Sequence, residues 1–492
     1  MADKEKQIKN SFIYLLPIIV GNILPLIALP IFTRILTKED YGLLALVTIY
    51  ALFVAGLANF GMTVVYDRNF FQYRNNSPES AKLFYSILAF VVLNFLVLAG
   101  VTYLFRETFS RLITGSAGHG NILFWSFCAQ LFVSINYYCL SYFKNSEMAK
   151  SFSIYTIAGS VLNLAIALWL VMRLRIGVIG MVYSQVLSGA IISGLLGYRF
   201  SKFLRPSFSK RILIESMKIS YPLTPLIFFG VIGSQFDKYM IGLLASVGGV
   251  GIYSIGQSIA YVVFNFMTAI QNVFSPQVYK RMFELEEKRG ETIGRYLTPF
   301  CYVSIFVGLL ISLFAEEIIF ILTPQAYHGA TDIIIILSML YGAYFFSKQP
   351  QLIYAKKTHI SSLLAMGSIC LNIVLNIPFI MKFGAIGAAW GTLTAGIITV
   401  AITFIASQYY YPIKWEYRKI IIIYFFFYAS SFAMLLMRQA DLAYWIRLII
   451  KSAVVVSYTY YGVKLGLLTR ENFILVKNML PWGRPRRNGA TV

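Results

Sequence analysis

Charged residues are scarce in this sequence: they make up 13% of its 492 residues, whereas hydrophobic residues make up 58%. Soluble domains carry about a quarter charged residues, so the composition excludes large soluble domains and predicts a membrane protein. The three histidines and four cysteines form no metal-ligand or nucleophile-activating pattern with acids. A GxxxxGK[ST] phosphate loop is also missing. We therefore expect a protein that is not an enzyme and holds no metal or other cofactor.

Long apolar runs are what the sequence has instead. Each is long enough to cross a membrane as a helix of about 20 residues, and hydropathy places them at 11–33, 41–63, 82–104, 121–142, 151–172, 176–198, 213–245, 249–274, 293–322, 329–354, 360–381, 384–408, 418–437 and 442–463. The pair on either side of Arg173 and Arg175 can also be interpreted as one broken segment. The sequence predicts an all-α integral membrane protein with about fourteen transmembrane helices.

Basic residues alternate with these runs in a way that predicts topology. If the N-terminus is cytoplasmic, 29 of the 42 Lys and Arg residues lie in inside segments, nine lie outside and four lie within apolar runs. This bias follows the positive-inside rule, so the net charge of +22 requires no nucleic-acid partner. Both termini are expected in the cytoplasm, where the basic C-terminal tail either contacts anionic lipid heads or only stops the last helix.

An internal repeat of about 208 residues runs through the first twelve predicted helices. Pro17 corresponds to Pro225, and three further pairs keep the same order at shifts of 207 to 209: Gly42 with Gly251, Asn163 with Asn372, and Gly177 with Gly384. Because each repeat has six helices, both repeats enter the membrane in the same direction. We predict pseudo-symmetric lobes at 1–212 and 213–412, and two additional helices with a basic tail at 413–492.

Proline interrupts the first helix of each predicted lobe, at Pro17 and Pro25 in one and at Pro222 and Pro225 in the other. A proline frees a backbone carbonyl and bends a helix, which is tolerated where a neighbour or a cavity satisfies the carbonyl. Matched broken helices favour a central site between rocking lobes, with these prolines as hinges. The alternative is that the kinks serve packing only.

Ionisable residues within apolar runs are the candidate functional residues, because each costs about 2.5–3.5 kcal/mol to insert. Cations at cavity walls would bind a diphosphate, and five are candidates: Arg34, Lys218, Lys238, Arg68 and Arg295. Ordinary snorkelling to the membrane surface is the alternative, favoured for the two at helix mouths, Arg68 and Arg295.

Asp237 is the acid well inside an apolar run, which makes it the candidate for coupling to a proton or sodium gradient; the alternative is a structural partner of a lysine.

Two further expectations concern the outer side. Lys451, one turn after Arg447, is expected to snorkel, and Gly248 to Gly251 are expected to form a tight outer turn.

Three patterns together resemble a known family: PIFTRILTKEDYGLLAL at Pro30 to Leu46, FDKYMIGLLASVGGVGIYSIG at Phe236 to Gly256, and the paired LN and G-x-x-G blocks. They are similar to polysaccharide-lipid flippases of the MOP superfamily, the Wzx-type exporters. The resemblance covers nearly the whole chain and implies a V-shaped transporter with a central cationic cavity, in which Arg34, Lys218 and Lys238 would lie.

The resemblance also implies the function. Such proteins move an oligosaccharide linked to undecaprenyl diphosphate from the inner to the outer leaflet of a bacterial cytoplasmic membrane, for O-antigen, capsule or exopolysaccharide. Expected partners are that substrate, membrane lipids and the polysaccharide polymerase and export machinery.

Rival functions from the same superfamily are a lipid II flippase, which tends to carry more arginine in its early helices, and an ion-coupled multidrug antiporter, which usually has acids there. This chain has no acid between Phe12 and Leu36. A polymerase or ligase would need a large outer loop, and those predicted here are about twenty residues or shorter.

Overall fold

The computed structural model of the protein describes residues 2–73, 77–284, 289–346 and 350–468. Within these ranges the regular structure is helical throughout and contains no strand, which confirms the all-α prediction. Internal contacts divide the chain into two compact units. The first extends to Ser254 and includes Leu322–Ala326; the second contains Ile255–Ile321 and the chain from Tyr327 onward.

The first unit contains nine complete helices and the start of a tenth. They are α1 (Ala2–Phe32), α2 (Lys38–Asn59), α3 (Met62–Tyr73), α4 (Ser77–Leu104), α5 (Arg106–Thr114), α6 (Gly120–Asn145), α7 (Ala149–Leu168), α8 (Val178–Phe203), α9 (Lys210–Leu244) and α10 (Val247–Glu284), which continues into the second unit. The second unit adds α11 (Arg289–Leu313), α12 (Ala315–Leu322), α13 (Ala330–Ala343), α14 (Gln351–Tyr354), α15 (Thr358–Tyr410), α16 (Tyr417–Gln439) and α17 (Tyr444–Lys464).

Nine helical segments in the described ranges are long and apolar enough to span a membrane. One of them, His359–Tyr410, has 52 residues and includes Gly384, whose backbone is not helical, so it holds two of the predicted runs. Two shorter apolar helices, Ile19–Phe32 and Ala330–Ala343, lie on two more. The chain is therefore a multi-pass helical membrane protein, although the segment ends differ from those predicted.

One of these differences has a clear backbone cause. The predicted run 41–63 is divided into α2 and α3, because Phe60 and Gly61 both adopt left-handed φ angles, 50° and 71°. The run pair near Arg173 consists of two helices, as predicted, and not of one broken segment: a π-helical turn at Trp169–Arg173 ends α7, and Gly177, with φ 69°, precedes α8.

The internal repeat is visible in matching local geometry. Gly177 has φ 69° and ψ −153°, and its counterpart Gly384 has φ 59° and ψ −135°; both values favour glycine, which lacks a Cβ. A polar contact also recurs near each of them. Asn163 accepts a hydrogen bond from Ser184 at 3.0 Å, and Asn372 donates one to Thr392 at 3.2 Å. Such a bond satisfies an amide that hydrocarbon would leave unpaired.

Aromatic side chains fill the core of the first unit. Phe84 and Phe200 are stacked with ring centroids 4.8 Å apart, and both belong to a buried cluster that also contains Tyr66, Tyr138 and Phe143. Offset and edge-on ring pairs of this kind add about 0.5–1.5 kcal/mol each beyond the area they bury. This packing holds α3, α4, α6 and α8 around one centre.

A cluster of six charged residues lies in the second unit and joins α12, α13, α16 and α17. Glu316 forms ion pairs with Arg447 at 2.7 Å, Lys451 at 3.2 Å and Arg438 at 3.9 Å. The other two acids complete the cluster: Glu317 lies 2.6 Å from Lys451, and Asp332 lies 2.9 Å from Arg438. We refer to these residues as the ion cluster.

Lys451 corrects an expectation from the sequence. Its side chain is fully buried and does not snorkel, because two carboxylates on α12 bind its ammonium group. Charge in a low-dielectric interior is stable only with such partners. The ion cluster therefore fixes α17 to α12 within the second unit.

Replacing Lys451 by Met should lower the thermal stability of the purified protein, because Glu316 and Glu317 would lose a buried partner; removing one member of a buried pair costs about 3–5 kcal/mol. Thermal unfolding in detergent measures the change. Lys419→Met is the control, since Lys419 forms a partly exposed pair with Glu416 whose loss costs about 1 kcal/mol or less. Equal losses of stability in both variants would contradict a structural role for the ion cluster.

Candidate functional site

Helix α9 carries five of the predicted functional positions and is the centre of the candidate site. It begins after Ser209, whose hydroxyl accepts a hydrogen bond from the backbone N–H of Ile212, as N-cap residues do. Lys218 is exposed, and so are Tyr221 and Pro222, which lie three and four residues further on and thus near it on the helix surface. Tyr221 is 70% exposed. This face of α9 is thus not covered by the first unit.

The opposite side of α9 is held by polar and apolar contacts. Asn69 on α3 donates a hydrogen bond to Ser216 at 3.3 Å, and Ser220 donates one to the carbonyl of Phe60. Ring centroids of Phe53 and Phe228 lie 4.3 Å apart. These contacts fix the rotation of α9 and thereby the direction of its exposed face.

Asp237 lies buried on α9 and contacts the next helix. Its Oδ2 accepts a hydrogen bond from the hydroxyl of Tyr253 on α10 at 3.0 Å. The neighbouring Lys238 is half-buried and donates to Oε1 of Gln235 at 3.3 Å. Adjacent residues on a helix point about 100° apart, so the carboxylate and the ammonium group have different surroundings despite their adjacency.

The structure does not bring all predicted cations together. Lys218 and Lys238 are twenty residues apart on α9, which corresponds to about 30 Å along a helix. Arg34 is exposed in the turn that follows α1. Arg68 is exposed on α3 and donates to Oδ1 of Asn69 at 2.7 Å. Arg295 belongs to the second unit, where it is exposed on α11.

The predicted hinge prolines have different surroundings. Both α1 and α9 continue as helices through their prolines. Pro17 is buried, and the carbonyl of Ile13, which a proline at this position deprives of its helical donor, accepts a hydrogen bond from Ser153 on α7. Pro25, Pro222 and Pro225 are exposed. In the described ranges, Pro17 is thus the hinge candidate whose freed carbonyl is bonded by a neighbouring helix.

Two of the segments that carry the family resemblance, Pro30 to Leu46 and Phe236 to Gly256, meet at a helix crossing. Thr37 and Asp40 form a capping box at the start of α2, and Gly42 follows within its first turns. A Cβ at Gly42 would collide with the carbonyl of Val247, and one at Gly251 with the carbonyl of Lys38. Small residues permit such close backbone approach between membrane helices. The repeat-related pair Gly42 and Gly251 thus marks the contact of α2 with the start of α10.

This crossing corrects another expectation. Gly248 to Gly251 do not form a turn; they lie in the first turns of α10. The lack of a side chain at Gly248 and Gly251 permits their close approach to Glu39 and Lys38 of α2. Closely spaced glycines in a sequence are typical of both turns and helix crossings. Only the position of the partner helix distinguishes the two.

Asp67 on α3 is a polar centre that the sequence analysis missed. Its Oδ1 accepts hydrogen bonds from Ser141 and Asn145, both at 2.8 Å, and its Oδ2 accepts one from Tyr137 at 3.2 Å. Lys144 adds an ion pair at 3.6 Å. The sequence feature that could have indicated this centre is the helical spacing of these four donors, which places them on one face of α6. With so many donors, Asp67 acts as a structural link between α3 and α6.

A family model described as "Polysaccharide biosynthesis protein" matches residues 8–280, more than half of the chain, which therefore belongs to that family. A probable low-salt glycan biosynthesis flippase, Agl15 of Haloferax volcanii, is 25% identical over 203 residues. That match covers 39% of this chain and 41% of the relative, so it spans about two fifths of the relative's length.

Solved structures show the same fold. The lipid II flippase MurJ in an inward closed conformation is similar with a TM-score of 0.72 and 16% identity, covering 92% of this chain and 99% of that one. An inward-facing multidrug resistance MATE transporter of the MOP superfamily has a TM-score of 0.60 and 15% identity, covering 81% and 97%. The protein is therefore a multi-pass membrane protein of the polysaccharide biosynthesis family, and its fold is the one that these two solved structures share.

The described residues contain no group of three or more His, Cys, Asp or Glu side chains that could hold a metal ion. The groups with chemical significance in the site are cations, one buried acid and exposed aromatic rings. Such a set binds and positions an anionic or sugar-bearing molecule. Any bound anion would be recognised by charge and hydrogen bonds.

Replacing Gly251 by Leu should separate the starts of α2 and α10, because the new Cβ would occupy the position of the Lys38 carbonyl. Cross-linking of cysteines placed at Glu39 and Gly248 measures the separation and should fall several-fold. Gly56→Leu is the matched control, since a Cβ at Gly56 on α2 meets nothing within 4 Å. Unchanged cross-linking in the Gly251 variant would contradict the crossing.

Proposed function

We propose that the protein is a flippase that moves an undecaprenyl-diphosphate-linked oligosaccharide from the inner to the outer leaflet of a bacterial cytoplasmic membrane. The observation that carries the proposal is the family match over residues 8–280, together with the full-length MOP fold. The glycan-flippase description of the Haloferax relative agrees with it. The product is a building unit for surface polysaccharide, which polymerase and export machinery would then use.

The chemistry of the substrate matches the cations that are left without acidic partners. A diphosphate is an anion that cannot cross hydrocarbon without compensation. Arg34, Lys218 and Lys238 form no ion pair with any acid in the described ranges. Arg438, Arg447 and Lys451, in contrast, are all neutralised in the ion cluster. The first group is available for an anionic substrate, and the second stabilises the fold.

The distance between Lys218 and Lys238 gives each a different part in transport. At about 30 Å of separation along α9, the two cannot bind one diphosphate together. The positive-inside pattern orients α9 with Lys218 toward the cytoplasm. We infer that Lys218 contacts the head group at entry and Lys238 contacts it near the outer leaflet. Alternating access by rocking of the two repeats, with Pro25, Pro222 and Pro225 at the bends, would transfer the head group.

The remaining mouth residues fit a weaker role. Arg68 donates to Asn69, and its exposure leaves the rest of its guanidinium group available to phosphate. Arg295 lies in the first two turns of α11, and the positive-inside pattern puts this end of the helix on the cytoplasmic side. Both would attract the anionic head group before binding, since basic groups at a mouth raise the local concentration of an anion.

Coupling to a proton or sodium gradient would use Asp237. Its carboxylate is buried and accepts a hydrogen bond from Tyr253. This hydrogen bond links α9 to α10. Binding of a cation at this carboxylate would compete with the tyrosine hydroxyl and change that contact. A structural role as the fixed partner of Tyr253 is the alternative.

A lipid II flippase is the second candidate function, because the MurJ fold covers 92% of this chain. The two functions share a prenyl diphosphate and differ in the sugar. Mass spectrometry of lipids from cells that lack the gene distinguishes them. Accumulation of a glycan repeat unit on undecaprenyl diphosphate supports the proposal, accumulation of lipid II assigns the protein to peptidoglycan, and cationic-drug sensitivity without a lipid intermediate favours an antiporter.

Lys218→Ala and Lys238→Ala should each reduce surface glycan without lowering the amount of protein, because each removes a cation that binds the diphosphate; loss of one charged hydrogen bond of about 1.5–3 kcal/mol weakens binding roughly tenfold or more. Surface glycan per protein is the measurement. Lys210→Ala, at the exposed start of α9, is the matched control. Normal glycan in both variants would remove these residues from the site.

Asp237→Asn should abolish the dependence of transport on a proton or sodium gradient, because an amide cannot bind or release the coupling cation in the same way. Transport into proteoliposomes with and without each gradient provides the measurement. Tyr253→Phe tests the contact alone, since it removes the hydrogen bond and keeps the acid. If the Asn variant keeps the gradient dependence of the parent protein, Asp237 has no coupling role.

A further inference from the structure

A second feature of the first unit is an apolar cavity of about 450 Å³ between α2, α4, α5 and α9. Phe53, Leu57 and Val101 are among its wall residues. The hydroxyl groups of Tyr50 and Thr102, also at the wall, bond to each other at 2.9 Å, so neither needs a partner from the cavity. Water requires several polar partners to be stable in such a space. The cavity is therefore suited to hydrocarbon.

The cavity is accessible from the surface of the unit. Leu57, Val101 and Leu112 line it and are 40%, 39% and 62% exposed. Because α2 and α4 are long and apolar enough to span a membrane, these exposed apolar side chains are suited to contact lipid. A hydrocarbon chain of the bilayer could thus enter the cavity beside them.

A cation lies beside the cavity. Gln235 lines the wall, and its Oε1 accepts the hydrogen bond from Lys238. Lys238 forms no salt bridge with any acid in the ranges that the structure describes, and the adjacent Asp237 is bonded to Tyr253. Asp237 acts on Lys238 electrostatically, but the hydrogen-bond partner of the ammonium group is the uncharged Gln235. An anion that contacts this half-buried ammonium group would be strongly stabilised. Apolar walls next to a cation are complementary to a lipid with an anionic head.

We propose that this cavity is a binding site for one hydrocarbon chain of an anionic phospholipid of the surrounding bilayer, with the phosphate at Lys238. The wall residues on α2 extend from Ile49 to Leu57, about 12 Å of helix, which accommodates a segment of a single chain. Bilayer phospholipid is present in large excess over any transported lipid, so mass action favours it as the occupant whenever no transported head group is bound at Lys238. The bound lipid would fill the space between α5 and α9.

Native mass spectrometry of the purified protein, titrated with phosphatidylglycerol or phosphatidylcholine, tests the site. Val101→Trp fills the cavity and should abolish the tightest binding of both lipids. Val97→Trp is the matched control, one turn away on α4, 59% exposed and not part of the wall. Leu112→Trp on α5 fills the cavity from the other side and serves if the Val101 variant does not fold.

Head-group selectivity tests the role of Lys238. Lys238→Gln should weaken phosphatidylglycerol binding about tenfold, the equivalent of one charged hydrogen bond, and leave phosphatidylcholine unchanged. Lys210→Gln should change neither. Equal binding by the Val101→Trp, Val97→Trp and parent proteins would overturn the proposal, as would exclusive recovery of a prenyl-linked lipid from the site. The assay involves no transport, so its outcome is independent of the flippase function.

Discussion

The cost of placing charge in hydrocarbon is the constraint on which the rest of this structure depends. In the second unit, the ion cluster pairs three cations with three acids, and Lys451 is fully buried as a result. In the first unit, Lys218 and Lys238 on α9 form no salt bridge with an acid in the described ranges, although the adjacent Asp237 acts on Lys238 electrostatically. Since neutralised charges stabilise and unneutralised charges attract anions, the same constraint separates residues that hold the fold from residues suited to bind substrate.

Small residues determine how closely the helices approach. Gly42 and Gly251 occupy equivalent positions in the two repeats and meet at the crossing of α2 and α10. Gly177 and Gly384 likewise share a left-handed backbone. Helices in a membrane gain little from hydrophobic association and rely on close packing and hydrogen bonds instead. The repeated glycines and the Asn163 and Asn372 contacts thus show that corresponding positions of the sequence repeat have similar local structure.

Much of the fold could be predicted because hydropathy is a local property. The all-α membrane architecture and the repeat required only segment composition and spacing. The segment ends were less predictable, as the break at Phe60 and Gly61 shows, because a left-handed residue within an apolar run carries no hydropathy signal. Of the candidate site, the positions of Lys218 and Asp237 on one helix could be predicted, whereas the contact of Asp237 with Tyr253 and the many donors around Asp67 could not.

The sequence by itself determined that the chain is a helical membrane protein, with its basic residues concentrated in alternate connecting segments, a repeat of about 208 residues and a few costly charges. Only the tertiary structure decided which of those charges are neutralised, that Gly248 to Gly251 form a helix crossing, and that an apolar cavity lies beside Lys238. The physical reason is the distance along the sequence over which each property acts. Hydropathy and charge bias act over one helix, whereas ion pairs and cavities require side chains that are far apart in sequence, as Glu316 and Lys451 are.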